Sequence, residues 1–333
     1  MVDMWMNGIM GVVVGDALGL PVQFAPREER DADPVTDMRG HGVFDMPAGS
    51  WSDDSSLTLA ALDALNNYGY NPDRIMQNFV SWLKEGKFTP LGFSYDIGGA
   101  CFDSITEYSR THNWKTCGRT GENENGNGSL MRIMPFCLFW YREQMTKWIT
   151  DADAITLMRE ASAFTHAHER SRIACVLYYY AVKAILNCEG DLFDRLQNGL
   201  NEGFRLYAEN NGNMEELAYY NRLRNLSQFK NVPRDEISGS GYVVQSLEAA
   251  VWCLLNTDNY ADAVLKAVNL GLDTDTTAAI TGGLAGLFYG IKGIPQKWMD
   301  KIIKKEMIEA MCRDAVENYG PRPFIEDEEY SWK

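Results

Sequence analysis

The sequence predicts an all-α fold, and two observations carry this prediction. Apolar residues recur at three- and four-residue spacing, which places them on one face of a helix. This spacing runs through residues 56–68, 172–188, 241–255, 259–271 and 277–291. No segment alternates convincingly between apolar and polar residues, and strands do not alternate with helices as in an α/β fold. We therefore expect at least about ten helices and no sheet.

We expect these helices to form a single domain over residues 1–333. This length is enough to bury a large core, and no internal repeat or low-complexity tract divides it. The segment near 190–238 is more polar and less regular than the rest, and could be a solvent-facing helical insertion. The last residues, 325–333, form an acidic C-terminal tail.

Two predicted helices carry glycine at every fourth position. Each glycine costs a helix about 1 kcal/mol relative to alanine, so the series needs a compensating gain. A row of missing side chains would let either another helix or a ligand approach the backbone closely. Neither series matches the dinucleotide-binding fingerprint. The glycines are Gly11, Gly15 and Gly19 in the first helix and Gly282, Gly286 and Gly290 in the second.

Charge and cysteine usage restrict the partners and the compartment. The formal net charge of −15 argues against nucleic acid or an anionic membrane surface as a partner. A phosphate-bearing ligand would then have to be held by local backbone donors or by a metal. Seven cysteines without a C-x-x-C pair are typical of reduced thiols in a cytoplasmic protein. We expect no secretion signal at the start of the chain, and we expect the longest weakly polar run, 278–291, to be too short to span a membrane.

Two predicted helix starts each carry a pair of aspartates. Asp53 and Asp54 follow Ser52, and Asp273 and Asp275 are interleaved with threonines. Helix capping explains one aspartate at each start but not the second. Four carboxylates in one pocket would repel each other unless a cation neutralised them. Oxygen ligands without neighbouring Cys or His favour Mg²⁺ or Mn²⁺ over Zn²⁺, and their number indicates two ions.

Three further motifs have both a functional and a structural interpretation. The loop 126–129 could cradle an anion with its backbone N–H groups, or be a surface turn. Of His166 and His168, at most one would reach a given site, because residues two apart do not share a helix face. Either could equally be a hydrogen-bonded structural histidine. Asp96 precedes two glycines, which is a common turn signal.

Taken together, these motifs resemble the ADP-ribosylglycohydrolase family. The similarity extends from about residue 8 to residue 292, and the combination is more specific than any single motif. It is carried, in order, by residues 15–24, 50–60, 95–100, 126–135, 165–168 and 269–286. The resemblance implies an orthogonally packed all-α domain with a binuclear Mg²⁺ cleft. It also implies hydrolysis of the bond between C1″ of ADP-ribose and an acceptor side chain, often arginine.

The resemblance also implies roles for individual residues. Those that fall on metal-binding motifs are Ser52, Asp53, Asp54, Asp273, Asp275 and Thr276. Those that fall on substrate-binding motifs are Asp96, which would orient the scissile or leaving group, the pyrophosphate loop Gly126, Asn127, Gly128 and Ser129, and the ribose-contacting His166. The catalytic candidates are Asp54, Asp96, Asp273 and Gln23.

Gln23 departs from the family pattern, which usually has an acidic residue at this position. Glutamine keeps the shape but cannot exchange a proton or neutralise a cation. Three interpretations stay open: another carboxylate does the acid–base chemistry, the leaving group needs little help, or the protein binds ADP-ribose and turns it over poorly.

We expect a Mg²⁺-dependent hydrolase of ADP-ribosyl-arginine on protein, acting as a cytoplasmic monomer with neither nucleic acid nor membrane as a partner. The alternatives are a non-catalytic ADP-ribose-binding protein and a hydrolase of another conjugate, such as serine-linked ADP-ribose or O-acetyl-ADP-ribose.

Overall fold

The structure is a computed structural model that describes residues 3–146, 148–211 and 213–319. Throughout those residues the chain forms helices and no strand, with isolated β-bridges only at three places, so the all-α prediction is confirmed. The expected acidic tail, 325–333, lies outside the described residues. The α-helices are α1 Met4–Gly19, α2 Arg27–Ala32, α3 Asp53–Tyr68, α4 Pro72–Glu85, α5 Gly99–Thr111, α6 Trp114–Cys117, α7 Met134–Met145, α8 Asp151–Ala163, α9 Glu169–Asn187, α10 Leu192–Asn211, α11 Met214–Leu217, α12 Leu226–Phe229, α13 Val243–Leu255, α14 Tyr260–Val268, α15 Thr274–Tyr289, α16 Gln296–Met299 and α17 Lys305–Tyr319.

Helices α1 and α15 pack backbone against backbone through their glycines. A β-carbon at Gly11 would lie 2.2 Å from the carbonyl oxygen of Gly282, and one at Gly15 would lie 2.1 Å from that of Ala278. Of the two explanations for the glycine series, close approach of another helix is therefore the right one. Gly290 differs from the others, because it ends α15 with a positive φ of 71°.

The apolar stretch Met4–Val22 corrects one expectation from the sequence. By length and composition alone this segment, which includes α1, is long enough to cross a membrane, so 278–291 is not the longest such run. In the fold nearly all of it is buried among other helices, as the central helix of a core is.

The polar segment near 190–238 is helical, as expected, but it is not simply solvent-facing. Helix α10 buries Leu196, Leu200 and Phe204, and packs closely along α9 because Gly199 lies against the backbone of Tyr180. The short helices that follow bury further apolar side chains. The polar residues of this segment therefore reflect the solvent-facing side of amphipathic helix α10. The single domain and the insertion remain predictions.

The C-terminal end of α1 joins the two helix starts that carry the aspartates. Gly19 packs on the first turn of α15, where a β-carbon would lie 2.3 Å from the backbone nitrogen of Asp275. The carboxylate of Asp16 accepts hydrogen bonds from the backbone N–H groups of Ser52 and Ser55 at the start of α3. Close packing of α1 thus places both aspartate pairs at one end of the core.

Candidate functional site

A cleft of about 780 Å³ opens where these helix starts meet. It is lined by most of the residues that the sequence motifs singled out. On its walls lie Gln23, Asp53, Asp96, Gly126, Asn127, Gly128, His166, Asp273 and Thr276. Ser52, Asp54, Asp275 and Ser129 are buried directly behind this lining. The structure therefore brings the whole predicted set together, and their assigned roles remain predictions.

The start of α3 is linked to the start of α15 through Asp54. Ser52 caps α3, and its hydroxyl donates to Oδ2 of Asp54 at 3.1 Å. The hydroxyl of Thr276 donates to the same oxygen at 3.3 Å. Ser52 and Thr276 therefore both donate to Oδ2 of Asp54, and neither donates to its Oδ1.

Several buried oxygens in the cleft lack a hydrogen-bond donor. Within the described ranges, no donor reaches Oδ1 of Asp54, either carboxylate oxygen of Asp275, Oδ2 of Asp96 or Oε1 of Gln23. Asp275 and Asp96 lie close enough to share a hydrogen bond, and Gln23 also reaches Asp96. A bond between two carboxyl groups needs a proton on one of them, so two ionised groups would both stay unsatisfied.

The pKa directions agree with this crowding of negative charge. Burial raises the pKa of Asp53, Asp54 and Asp275 well above the usual range, and the neighbouring carboxylates add to the effect. Burial likewise raises the pKa of Asp96. A divalent cation among these groups would offset the repulsion and supply the missing partners.

The donor set fits a hard cation in its chemistry. Carboxylate and hydroxyl oxygens are the ligands that Mg²⁺ and Mn²⁺ prefer. Asp54, Asp275, Asp53, Asp273 and Thr276 could provide them. In residues 3–146, 148–211 and 213–319, however, no three Asp, Glu, His or Cys side chains are already gathered around one point as metal ligands. The donor-free oxygens support a cation, and the side chains would have to move to bind it.

Asp273 connects the aspartates to the glycine loop. Its Oδ2 accepts a hydrogen bond of 2.7 Å from the side-chain amide of Asn127, which also donates to the hydroxyl of Ser246 at 2.9 Å. The backbone N–H of Asp273 donates to the carbonyl of Gly239. Asn127 is therefore a bridge between the loop and the carboxylates, in addition to any contact with a ligand.

The glycine loop, residues 126–129, forms one wall of the cleft. A β-carbon at Gly128 would lie 2.9 Å from both Sγ of Cys101 and Cε1 of His166, so only glycine fits there without displacement. The N–H of Asn127 is already used by the carbonyl of Gly241. The hydroxyl of Ser129 is turned away from the cleft, so any contact of this residue with a ligand would come from its backbone.

Only one of the two histidines lines the cleft, as predicted, although neither lies within a helix: His166 forms an isolated bridge with Arg119, and His168 precedes α9. His166 lines the cleft and is almost fully buried, and its Nδ1 lies 2.9 Å from the hydroxyl of Thr165. Burial, followed by the charge of Arg132, lowers the pKa of His166 to about 3, so the ring is neutral at physiological pH. His168 instead caps α9, where its Nδ1 accepts from the N–H of Arg170.

Asp16 is a site residue that the motif analysis did not single out. It is fully buried, and its carboxylate accepts from the N–H groups of Ser52 and Ser55 and from the hydroxyl of Ser55 at 2.5 Å. Burial raises its pKa to about 6, although these hydrogen bonds oppose the shift. An aspartate inside the otherwise apolar run GVVVGDALG was the signal that could have identified it.

Two apolar residues with unusual backbone conformations stand at the mouth of the cleft. Phe24 and Leu272 both have positive φ, 65° and 64°, which is strained for residues with a β-carbon. The N–H of Phe24 donates to the carbonyl of Leu272, and the N–H of Leu272 donates to that of Ala25. This pairing holds the segment after Gln23 against the segment before Asp273.

The sequence is similar to several known proteins. It is 30% identical over 303 residues to ADP-ribosylarginine hydrolase Tri1 from Serratia proteamaculans, covering 91% of this chain and 76% of that protein. It is 27% identical to the ADP-ribosyl-[dinitrogen reductase] glycohydrolase of Rhodospirillum rubrum, covering 91% of each. A solved ADP-ribosylglycohydrolase-related protein complex superposes with a TM-score of 0.74 at 26% identity, covering 96% of this chain and 98% of that one.

The match to a family is equally extensive. Residues 4–323 match the family described as ADP-ribosylglycohydrolase, which is nearly the whole chain. The relatives named above are hydrolases that act on glycosidic bonds. The helical fold, the cleft and these similarities agree, and the chain belongs to the ADP-ribosylglycohydrolase family.

Proposed function

We propose that this protein hydrolyses the N-glycosidic bond between ADP-ribose and an arginine side chain of a modified protein, in a Mg²⁺-dependent reaction. The observation that carries the proposal is the set of buried, donor-free carboxylate oxygens of Asp54, Asp96 and Asp275 in the cleft. The similarity to hydrolases named for ADP-ribosylarginine and ADP-ribosyl-dinitrogen reductase supports the substrate class.

The metal ligands would be the oxygen donors at the two helix starts. They are Ser52, Asp53, Asp54, Asp273, Asp275 and Thr276. When bound, two Mg²⁺ ions would supply positive charge that polarises ribose and water oxygens, and Mn²⁺ accepts the same ligands. Without a cation, burial raises the pKa values of Asp53, Asp54 and Asp275, so cation binding should release protons as it favours their ionised forms.

The carboxylates also suit the charge that develops during bond cleavage. C1″ becomes oxocarbenium-like as the glycosidic bond breaks, and nearby carboxylates stabilise that positive charge. Asp96 has one donor-free oxygen at the cleft wall, where it could hold the leaving guanidinium. Asp54 and Asp273 are our remaining acid–base candidates.

The far wall of the cleft would bind the rest of ADP-ribose. The glycine loop lines this wall and would lie along the pyrophosphate, and His166 offers a neutral ring beside it. Binding of these groups, which lie away from C1″, supplies energy that positions the reacting bond.

A second candidate function follows from Gln23. Its amide lies against Asp96, and no described residue donates to its Oε1. Because an amide cannot exchange a proton, this position supports an ADP-ribose-binding protein with little turnover as the alternative. A hydrolase of serine-linked ADP-ribose or O-acetyl-ADP-ribose differs only in the acceptor.

The test is release of free ADP-ribose from an ADP-ribosyl-arginine protein, in EDTA, Mg²⁺ and Mn²⁺. Wild type, Gln23→Glu and Asp275→Asn are compared, with serine-linked ADP-ribose and O-acetyl-ADP-ribose as parallel substrates. Mg²⁺-dependent release from arginine by wild type, but not by Asp275→Asn, is the expected result. Release only after Gln23→Glu would favour the binding protein, and release only from another conjugate would replace arginine as the acceptor.

We also propose that the protein acts as a cytoplasmic monomer. All seven cysteines are free thiols in the structure, which agrees with a reducing compartment. Sedimentation of the purified protein at micromolar concentration tests the oligomeric state directly.

A further inference from the structure

Arg132 is a buried cation that the proposed reaction leaves unexplained. Its side chain is fully buried directly behind the glycine loop, over the ring of Phe79 at 5.0 Å. In the described part of the chain its hydrogen bonds go to uncharged groups, and neither Nε nor Nη1 finds an acceptor there. An arginine stays charged in proteins, and burying a charge without a partner is costly. The fold therefore keeps this guanidinium for a reason beyond packing.

The polar contacts of Arg132 lead to the cleft. Nη2 donates one hydrogen bond to the carbonyl of Ala161 at 3.1 Å and the other to the hydroxyl of Thr165 at 2.9 Å. That hydroxyl in turn lies 2.9 Å from Nδ1 of His166. A chain of two hydrogen bonds thus connects the buried cation to a ring that lines the cleft.

The direction of these hydrogen bonds follows from the donors. A guanidinium can only donate, so the Thr165 oxygen must accept from Arg132, and its single proton remains available. Nδ1 of His166 is the stronger acceptor within reach, because the neighbouring Cys101 thiol is a weak one. The hydroxyl proton therefore goes to Nδ1, and the ring proton has to sit on Nε2.

The backbone around Thr165 keeps this geometry in place. Its carbonyl accepts from the hydroxyl of Ser104 and from the N–H of Arg119, both at 2.9 Å. Ser162 holds the backbone of His166 at both ends. The carbonyl of Ser162 accepts from the N–H of His166, and its hydroxyl donates to the His166 carbonyl. These hydrogen bonds fix the backbone of both residues, and burial of the ring against Gly128 restricts its rotation.

We propose that Arg132 is a positioning residue, which acts through Thr165 to fix His166 as the neutral tautomer protonated at Nε2. Nε2 lies beside Gly126, on the side of the cleft assigned to the pyrophosphate and ribose. In this tautomer the ring donates a hydrogen bond to a ribose or phosphate oxygen. The other tautomer would direct a lone pair at the same oxygens and repel a phosphate. The choice of ligand rests on the proposed function, whereas the tautomer does not.

The test reads the tautomer directly, by long-range ¹H–¹⁵N NMR of the histidine rings. His166→Gln identifies the signals of His166 among the four histidines. Thr165→Val removes the hydroxyl at nearly constant volume, and Thr165→Ser is the matched control that retains it. We expect Nε2 protonation in wild type and in Thr165→Ser, and a mixture of tautomers in Thr165→Val. The wild-type signal should not change between about pH 5.5 and pH 8, because burial and Arg132 lower the pKa of His166 to about 3 against the opposing effect of Glu124.

Two outcomes would overturn the proposal: a ring protonated at Nδ1 in wild type, or a pure Nε2 tautomer in Thr165→Val. Arg132→Met should give the same mixture if circular dichroism shows that it folds, and the Thr165 pair decides the matter if it does not. ADP-ribose should bind more weakly to Thr165→Val than to Thr165→Ser by the inverse of the fraction of rings that stay protonated at Nε2, which is about twofold for an even mixture. Because the NMR measurement needs no turnover, failure of hydrolysis in wild type would leave this result independent.

Discussion

The buried aspartates of this protein are alike in charge but differ in the partners that surround them. Asp16 accepts several hydrogen bonds from the start of α3, whereas both oxygens of Asp275 have no donor in the described residues. Burial raises the pKa of both groups. Because only Asp16 has hydrogen-bond donors, removing the charge should have opposite effects on stability at the two positions. A pair of substitutions can thus separate structural from ligand-binding aspartates.

Asp275→Asn should not destabilise the protein in EDTA, because it removes a repelled, unsatisfied carboxylate. The same change should abolish the increase in melting temperature that Mg²⁺ causes. It should also lower ADP-ribose release more than about 100-fold, because substituting a residue that only orients the metal ligands costs about 10- to 100-fold. Calorimetry in EDTA and in Mg²⁺ measures the first two effects, with the exposed Asp314→Asn as control. A large loss of stability in EDTA would make Asp275 a structural residue.

Asp16→Asn should behave in the opposite way. The amide nitrogen of asparagine would face the donors of Ser52 or Ser55, so at least one buried hydrogen bond is lost. We expect a loss of about 1–3 kcal/mol in the free energy of unfolding, with or without Mg²⁺. Urea denaturation measures it. Stability equal to that of wild type would show that relief of charge repulsion outweighs the lost hydrogen bonds.

At the scale of helices, the close contact of α1 with α15 sets the geometry of the site. Gly15 faces the carbonyl of Ala278, and one turn later Gly19 faces the backbone of Asp275. The same contact that forms the core therefore brings the first turn of α15 to Asp16 and the start of α3. A change in the middle of the contact should weaken both the fold and the site.

Gly15→Ala tests this coupling, because its β-carbon would lie 2.1 Å from a backbone oxygen that cannot move independently of α15. We expect a loss of about 1–3 kcal/mol, the usual cost of overpacking a core. The Mg²⁺-dependent increase in melting temperature should also decrease. Gly99→Ala is the matched control, since nothing lies within 4 Å of its β-carbon position. Equal effects of the two substitutions would contradict the coupling.

The helices show which features a sequence can reveal. The starts of α3 and α15 were predictable, because capping residues and acidic first turns act within a few positions. The glycine series revealed a close contact but not its partner, since the two halves lie more than 260 positions apart in the chain. Asp16 was missed for the same reason: the groups that it holds are 36 and 39 residues away. The orientation of the Ser129 hydroxyl likewise depends on packing that only the folded chain defines.

For the molecule as a whole, the site concentrates negative charge in a protein that already carries a formal net charge of −15. The cleft therefore costs stability whenever its aspartates are ionised without a cation. The fully buried cation Arg132 makes its described hydrogen bonds to Ala161 and Thr165 and not to these aspartates. Stability, pH and divalent cations should consequently be linked.

The sign of this linkage follows from the raised pKa values. Unfolded aspartates titrate near 3.8, whereas the folded pKa is about 6 for Asp16 and well above 3.8 for Asp53, Asp54 and Asp275. Between the unfolded and folded values the native state holds more protons, so the stabilisation is complete below pH 3.8 and is lost as pH rises through the folded values. In EDTA, the contribution of the cleft should therefore fall as pH increases from about 5 to 8.

Mg²⁺ should reverse this trend, because it binds the ionised aspartates and its affinity increases with pH. The measurement is the melting temperature of wild type and Asp275→Asn across that pH range, in EDTA and in saturating Mg²⁺. Subtracting the variant from wild type removes the titration of groups elsewhere. As pH rises, we expect the melting temperature of wild type to fall relative to that of Asp275→Asn in EDTA, and to rise relative to it in Mg²⁺. A difference that does not depend on pH in either condition would mean that these carboxylates ionise as freely in the fold as in the unfolded chain, and that no divalent cation binds among them.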